Sequence, residues 1–341
     1  MLHDIIFFLL GLALVVAGGN FVTDGASALA RRFKVSNMVI GLTVVAFGSS
    51  MPDLVVCLTS TLAGKSQLAL GDIVGANIFD ILLVVGVVAM VRPVNLNGDM
   101  LGKDLPMLAL ASLTLFFCGD DILFDGSKTN IIDRTDGLML LAFFVIFMIF
   151  TLREAHSTQS PLRPLQEPLK TQPVGGMTAA AAATPVKNMS MWMSALYIAA
   201  GLTALIIGGD WLVDGASGIA LKGGLSEAMV GLTIVAIGSA VPDLATSVIA
   251  ALKNQPGIAL GNVVGACIFN VFFILGACAT VRPLNAGTIS VVDFSTLAGA
   301  SLLLWAFGGI FGYGRISRAE GAILALCYCA YMTYVIITGV H

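Results

Sequence analysis

Ten apolar runs, each long enough to cross a bilayer, dominate this chain of 341 residues and leave little else for it to build with. A hydrocarbon core of about 30 Å takes about 20 apolar residues per helix, and the runs begin near residues 4, 36, 67, 104, 131, 191, 226, 257, 289 and 318. Hydrophobic residues make up 57% of the chain and charged residues 11%, where an ordinary soluble domain carries about 25% charge. That excludes a soluble globular enzyme and predicts an all-α polytopic membrane protein with lipid as its surroundings. A formal charge of -3 without a basic block excludes a nucleic-acid partner. The opening MLHDIIFFLLGLALVVAGG has no Lys or Arg ahead of its apolar stretch, so it reads as a first span and not as a cleaved signal. The six cysteines form no CxxC pair, and most lie in apolar runs, where they read as small hydrophobes.

The runs fall into two related halves. Adding 190 to each number aligns Gly41-Leu-Thr-Val-Val-Ala-Phe-Gly-Ser-Ser-Met-Pro-Asp-Leu54 with Gly231-Leu-Thr-Ile-Val-Ala-Ile-Gly-Ser-Ala-Val-Pro-Asp-Leu244, ten of fourteen positions being identical. The same register joins Gly18–Ser27 to Gly208–Ser217, Ala69–Phe79 to Ala259–Phe269, and Val91-Arg-Pro93 to Val281-Arg-Pro283. Five spans per half is an odd number, so equivalent helices cross the membrane in opposite directions and the repeat is inverted, as in many secondary transporters. The expected organisation is a first five-helix repeat over 1–152, a Pro- and Ala-rich linker over 153–190, and a second repeat over 191–341.

Loop charge sets the orientation. With the N-terminus outside, twelve of the seventeen Lys and Arg residues fall in inward loops, the excess expected of cytoplasmic loops. Both termini then face outward and the linker lies in the cytoplasm, in a plasma membrane or, for a bacterium, the inner membrane.

Ionisable groups deep in a span cost about 2.5–3.5 kcal/mol on insertion scales. Asp53 and Asp243 lie deep in the second and seventh spans and Asp80 in the third, with no Lys or Arg at comparable depth. Facing carboxylates without a basic partner either take up protons or recruit a cation, and the cation is the more economical reading. Pro52 and Pro242 precede the paired aspartates; each deletes a backbone N–H and frees a carbonyl one turn earlier. Those carbonyls lie around Ala46 to Ser49 and Ala236 to Ser239, beside Gly48 and Gly238, where the helices are expected to open. Ser49, Ser50 and Ser239 add hydroxyls, completing a set of hard oxygen donors suited to Ca²⁺, Na⁺ or Mg²⁺. Asp24 and Asp214 read as ties at helix ends, and Asp72 with its repeat equivalent Asn262 as helix caps. The acidic outer loop of Asp120, Asp121, Asp125, Asp133 and Asp136 is either simply solvated or attracts cations to the mouth.

GLTVVAFGSSMPDL with ALGDIVGANIF, and GLTIVAIGSAVPDL with ALGNVVGACIF, resemble the two alpha-repeats of the calcium/cation antiporter superfamily, sodium/calcium exchanger type. The resemblance covers essentially the whole chain. It implies an antiporter that exports Ca²⁺ against Na⁺ by alternating access, with Asp53 and Asp243 as the central acidic pair, Ser49, Ser50 and Ser239 as hydroxyl ligands and Ala46 and Ala236 as carbonyl ligands. It also places an acidic or amide ligand at Asp80 and Asn270, and it implies no cofactor beyond the transported ions. The chain departs from the family pattern in carrying Asp53 and Asp243 where Glu is usual, and Ala76, Ala266 and Ala240 where hydroxyls are usual. The coupling ion therefore stays open between Na⁺ and H⁺, and the cargo between Ca²⁺ and other divalent ions. An intramembrane aspartyl protease is the alternative from another class, but neither the Tyr-Asp nor the Gly-x-Gly-Asp context of such proteases surrounds Asp53 or Asp243.

Overall fold

The structure, a computed structural model, describes residues 2–32, 50–96, 98, 100–124, 126, 129–157, 190–252, 256–311 and 314–339. Its frame is helical throughout. The first half holds α1 (Leu2–Arg32), α2 (Met51–Leu62), α3 (Ser66–Val91), α4 (Met100–Gly119) and α5 (Arg134–Ser157). The second holds α6 (Met191–Gly223), α7 (Glu227–Leu252), α8 (Ala259–Val281), α9 (Val291–Ile310) and α10 (Arg318–Gly339). Nine of these helices are long and apolar enough to span a membrane, and the short α2 is the described part of the tenth segment expected from the sequence. Helix α5 runs on to Ser157, a turn into the expected linker; residues 158–189 lie outside the described residues.

α1 and α6, equivalent in the repeat, are packed against one another through glycine. A Cβ on Gly11 would lie 2.5 Å from the Leu212 nitrogen, one on Gly18 2.8 Å from the Gly201 carbonyl, and one on Gly25 2.8 Å from the Ser194 carbonyl. Numbers rise along one helix as they fall along the other, so the two run antiparallel, as an inverted repeat requires. The seven-residue spacing keeps the glycines on one stripe, and the missing side chains let the backbones touch, the usual basis of helix association in lipid.

The interior belongs to α3 and α8. Within an 18-residue apolar stretch of each of these helices 83% of the residues are buried, against 28% in that of α1 and 22% in that of α6. Phe269 and Phe272 of α8 and Ile73, Ile78 and Ile81 of α3 are wholly enclosed, while Leu9, Phe117, Ile149, Leu326 and Ile337 point outward from peripheral helices. Such outward apolar surface suits a lipid surround, in which only side chains already apolar meet the hydrocarbon.

Two short antiparallel ladders tie the halves. Val94 and Asn95 (β1) pair with Ile316 and Arg315 (β4), and Ile131 and Ile132 (β2) pair with Asn285 and Leu284 (β3). The loop after α3 thus meets the loop before α10, and the loop before α5 meets the loop after α8.

One expectation is corrected here. The second-repeat helix does not open at Gly238: Ala236–Leu252 is α-helical with Pro242 inside it, and the irregular turn, π-helical Gly231–Val235, comes before it. Pro242 removes a single helical bond, and the neighbouring turns carry the helix through it. The corresponding stretch of the first half, with Gly48, lies outside the described residues.

Candidate cation site

The central polar groups converge from four helices. Ser50 precedes α2 and Pro52 occupies its first turn, a position where a missing N–H costs nothing because that group has no helical partner. Asp53 follows in the same turn and is buried, with the positive end of the helix behind it. Its Oδ2 accepts a hydrogen bond of 2.8 Å from Nδ2 of Asn270. The same amide nitrogen donates to Oδ1 of Asn77 at 3.1 Å, and Nδ2 of Asn77 donates to the Cys267 carbonyl at 3.3 Å. Asp53 on α2 is thereby joined to α3 and α8 through two buried amides.

Asp80 and Asn270 are repeat equivalents and occupy equivalent irregularities. Asp80 lies in the π-helical segment Phe79–Val84 and Asn270 opens the π-helical segment Asn270–Leu275. A π turn widens the helix and re-aims its side chains, and such turns recur at functional sites. Both residues are fully buried.

On α7, Ser239 is buried, and its hydroxyl lies 3.2 Å from Oδ1 of Asp72 and 3.2 Å from the Ala236 carbonyl. Asp243, one helical turn further along, is partly buried. The charge of Asp53 acts on Asp72, Asp80 and Asp243, and that of Asp243 on Asp80. The four carboxylates form one electrostatic group.

Counting donors and acceptors shows what this group lacks. An amide nitrogen has two protons and a hydroxyl one, and both protons of Asn270 Nδ2 are taken by Asp53 and Asn77. Oδ2 of Asp72, Oδ1 of Asp80 and Oδ1 of Asn270 are buried without a hydrogen-bond donor. The buried polar residues among those described include no Lys, Arg or His. A buried carboxylate without a partner is expensive, and hard anionic oxygens in this number match a hard cation.

The structure joins Asp53 to Asn270, and Ser239 to the Ala236 carbonyl and Asp72, while Asp80 and Asp243 lie near enough to feel the Asp53 charge; as placed, no three His, Cys, Asp or Glu side chains among the described residues are close enough to hold one metal ion. Ser50 is buried beside Asp53, with its side chain making no capping bond. Ser49 and Ala46 lie outside the described residues. Ala76, Ala266 and Ala240, standing where hydroxyls are usual, are buried.

Two members were not anticipated. Asp72 is no cap: it is the seventh residue of a helix that starts at Ser66 and is fully enclosed, and Asn262 likewise lies within α8. Asn77, absent from the expected set, sits in the middle of the amide relay. The signal for both was present as single polar residues inside otherwise apolar stretches, Leu-Gly-Asp-Ile and Gly-Ala-Asn-Ile.

Away from the centre, charges tie helix ends. Lys65 lies 3.3 Å from Asp214 and Lys222 2.6 Å from Asp4; the Asp4 carboxylate holds the lysine above its ordinary range. In the acidic outer loop, Asp121 accepts from the Ile131 amide at 2.8 Å, and Asp133 accepts from Thr135 and from the Asp136 amide. The Thr135 hydroxyl bond holds the Asp133 carboxyl below its usual range. Asp125 lies outside the described residues.

Comparison with known proteins places this geometry. The sodium/calcium exchanger protein family matches residues 3–153 and 193–337. The chain is 33% identical to the putative antiporter CaxA of Alkalimonas amylolytica, over 97% of this chain and 98% of the relative. It is 28% identical to the sodium/calcium exchanger MaX1 of Methanosarcina acetivorans, over 96% and 97% of the two chains. Among solved structures, the sodium-calcium exchanger NCX_Mj soaked with 2.5 mM Na⁺ and 10 mM Sr²⁺ superposes with a TM-score of 0.59 at 28% identity, covering 97% of this chain and 98% of that one.

Proposed function

This chain belongs to the sodium/calcium exchanger protein family, and from that premise we propose that it exports Ca²⁺ in exchange for Na⁺ through a site at the membrane midplane. Asp53, Asp80 and Asp243 supply the charge, Asn270, Ser50 and Ser239 the neutral side-chain oxygens, and the Ala236 carbonyl a backbone ligand; Ala46 and Ser49 complete the set from the first repeat. The observation that carries the reading is the donor deficit: two carboxylate oxygens, of Asp72 and Asp80, and the amide oxygen of Asn270 are buried without donors, with no buried basic side chain among the described residues. Antiport follows if the same oxygens hold Ca²⁺ in one half of the cycle and the coupling ion in the other, the site being exposed to one side at a time.

The sidedness inferred from the loops fits the contacts. Residues assigned outside meet one another, Asp4 with Lys222 and Lys65 with Asp214. Residues assigned inside do the same, Arg315 pairing with Asn95 in the β1–β4 ladder. Such contacts hold for either orientation, and it is the inward excess of Lys and Arg in the loops that favours both termini outside and the linker inside.

Uptake of ⁴⁵Ca²⁺ into proteoliposomes, driven by an outward Na⁺ gradient, an outward H⁺ gradient or neither, tests the proposal. Sodium-driven uptake is expected. Uptake driven by protons alone would replace the coupling ion, a reading that the alanines at 76, 240 and 266 favour because they remove hydroxyl ligands. Absence of Ca²⁺ flux under every gradient would overturn the cargo.

A further inference from the structure

The two amides of the central relay take their direction from a backbone carbonyl. The Cys267 carbonyl can only accept, so the group of Asn77 lying 3.3 Å from it is the amide nitrogen. Oδ1 of Asn77 is thereby turned to Asn270, and because that oxygen too can only accept, the Asn270 group 3.1 Å away is Nδ2. The same nitrogen lies 2.8 Å from Oδ2 of Asp53. With its nitrogen committed on that side, Asn270 turns its oxygen the other way, where it is buried without a donor. Both asparagines are fully enclosed, so bulk solvent cannot satisfy a reversed amide.

We propose that Asn77 is a positioning residue for ion binding, which holds the Asn270 amide so that its oxygen and not its nitrogen is presented to the cation. This rests on the exchanger reading of the central site and adds a residue outside its ligand set. An amide has two unlike ends of similar size, and only the carbonyl end can ligate a hard cation. Reversed, Asn270 would turn N–H groups on the ion and set its oxygen against the oxygen of Asn77. The repeat shows why one half needs this device. The equivalent of Asn270 is Asp80, whose carboxylate offers an oxygen whichever way it is turned, and the equivalent of Asn77 is Cys267, which has no side-chain amide. The amide ligand has an amide to orient it; the carboxylate ligand, which needs none, has a thiol at the equivalent place.

The test compares Asn77→Leu in two backgrounds, on the full chain in proteoliposomes, reading the K0.5 for Ca²⁺ and the maximal rate separately. With Asn270 in place, Asn77→Leu raises K0.5 about ten-fold and leaves the maximal rate within about two-fold. Asn270→Asp sets its own, higher K0.5, and in that background Asn77→Leu changes it by less than about two-fold, because a carboxylate has no direction to lose. A packing defect at 77 is indifferent to which of these two side chains stands at 270, so equal fold-changes in both backgrounds would overturn the assignment. An unchanged K0.5 with Asn77→Leu alone, or a loss confined to maximal rate and melting temperature, would overturn it as well. Where flux is too slow to read, the Ca²⁺ dissociation constants of the same four proteins by titration calorimetry carry the comparison. If Asn77→Leu does not accumulate as a monodisperse protein, Asn77→Ala carries the same prediction in a smaller side chain. Failure of the exchanger reading is distinguishable, since wild-type protein would then show neither Ca²⁺ flux nor Ca²⁺ binding.

Discussion

The two halves of the molecule share a backbone plan and differ in charge. Seam glycines 11, 18 and 25 of α1 have equivalents at 201, 208 and 215 of α6, and the π turns at Asp80 and Asn270 fall at matching places. Yet the first half brings three carboxylates to the centre, Asp53, Asp72 and Asp80, where the second brings Asp243 with Asn262 and Asn270. Even the paired aspartates sit differently, Asp53 in the first turn of α2 and Asp243 inside a continuous helix beyond Pro242. Geometry is what an inverted repeat needs in order to open to either side. Charge is free to diverge, and in this chain the second half has become the amide donor to the first: Asn270 bonds Asp53 across the interface.

The comparison breaks most completely at the aspartates common to both halves. Asp53→Asn and Asp243→Asn each reduce Na⁺-driven ⁴⁵Ca²⁺ uptake by about 100-fold or more, because affinity for a hard cation follows the count of charged ligands. Retention of more than a tenth of the uptake in either variant would show that one half suffices. Where the halves differ, the effects are smaller and their signs are informative. Asp80→Asn, which copies the second repeat into the first, raises the Ca²⁺ dissociation constant about ten-fold by titration calorimetry. Asn270→Asp, which copies the first into the second, also weakens binding although it adds a charge, since it removes the two N–H bonds to Asp53 and Asn77 and sets a like charge beside Asp53. Tighter binding in that variant would mean that charge number alone governs the site.

Where the halves are alike, matched substitutions cost alike. Gly11→Val and Gly201→Val each insert atoms into backbone contacts of 2.5 and 2.7 Å and destabilise by about 1–3 kcal/mol, read as similar drops in melting temperature. Gly98→Ala, with nothing within 4 Å of the added carbon, leaves it unchanged. The smallest effect belongs to the rim: Lys65→Met breaks the 3.3 Å pair with the exposed Asp214 for less than about 1 kcal/mol, and the loss shrinks further in high salt.

The sequence carries the spans, the repeat and the buried acids because these rest on strong local signals: apolar length, a shared register of 190 residues, and acids where lipid penalises them. Asp72 was misread because an acid near the start of an apolar run looks like a cap, and only the true start at Ser66 shows it to be two turns inside. Asn77 stands out in the sequence as a lone polar residue in an apolar run, but its partner does not, because that partner lies 193 positions away. The π turns and the two-residue ladders have no periodicity of their own. Pro242 signalled a break that the surrounding helix absorbs.

The account stands on a cation held between unequal halves, and anomalous diffraction from crystals soaked in Sr²⁺ locates it directly. The predicted result is an anomalous peak enclosed by Asp53, Asp80 and Asp243, within ligand distance of Asn270, and lost in Asp53→Asn crystals. A peak confined to the outer loop around Asp121 and Asp133, with none among the buried carboxylates, would contradict it.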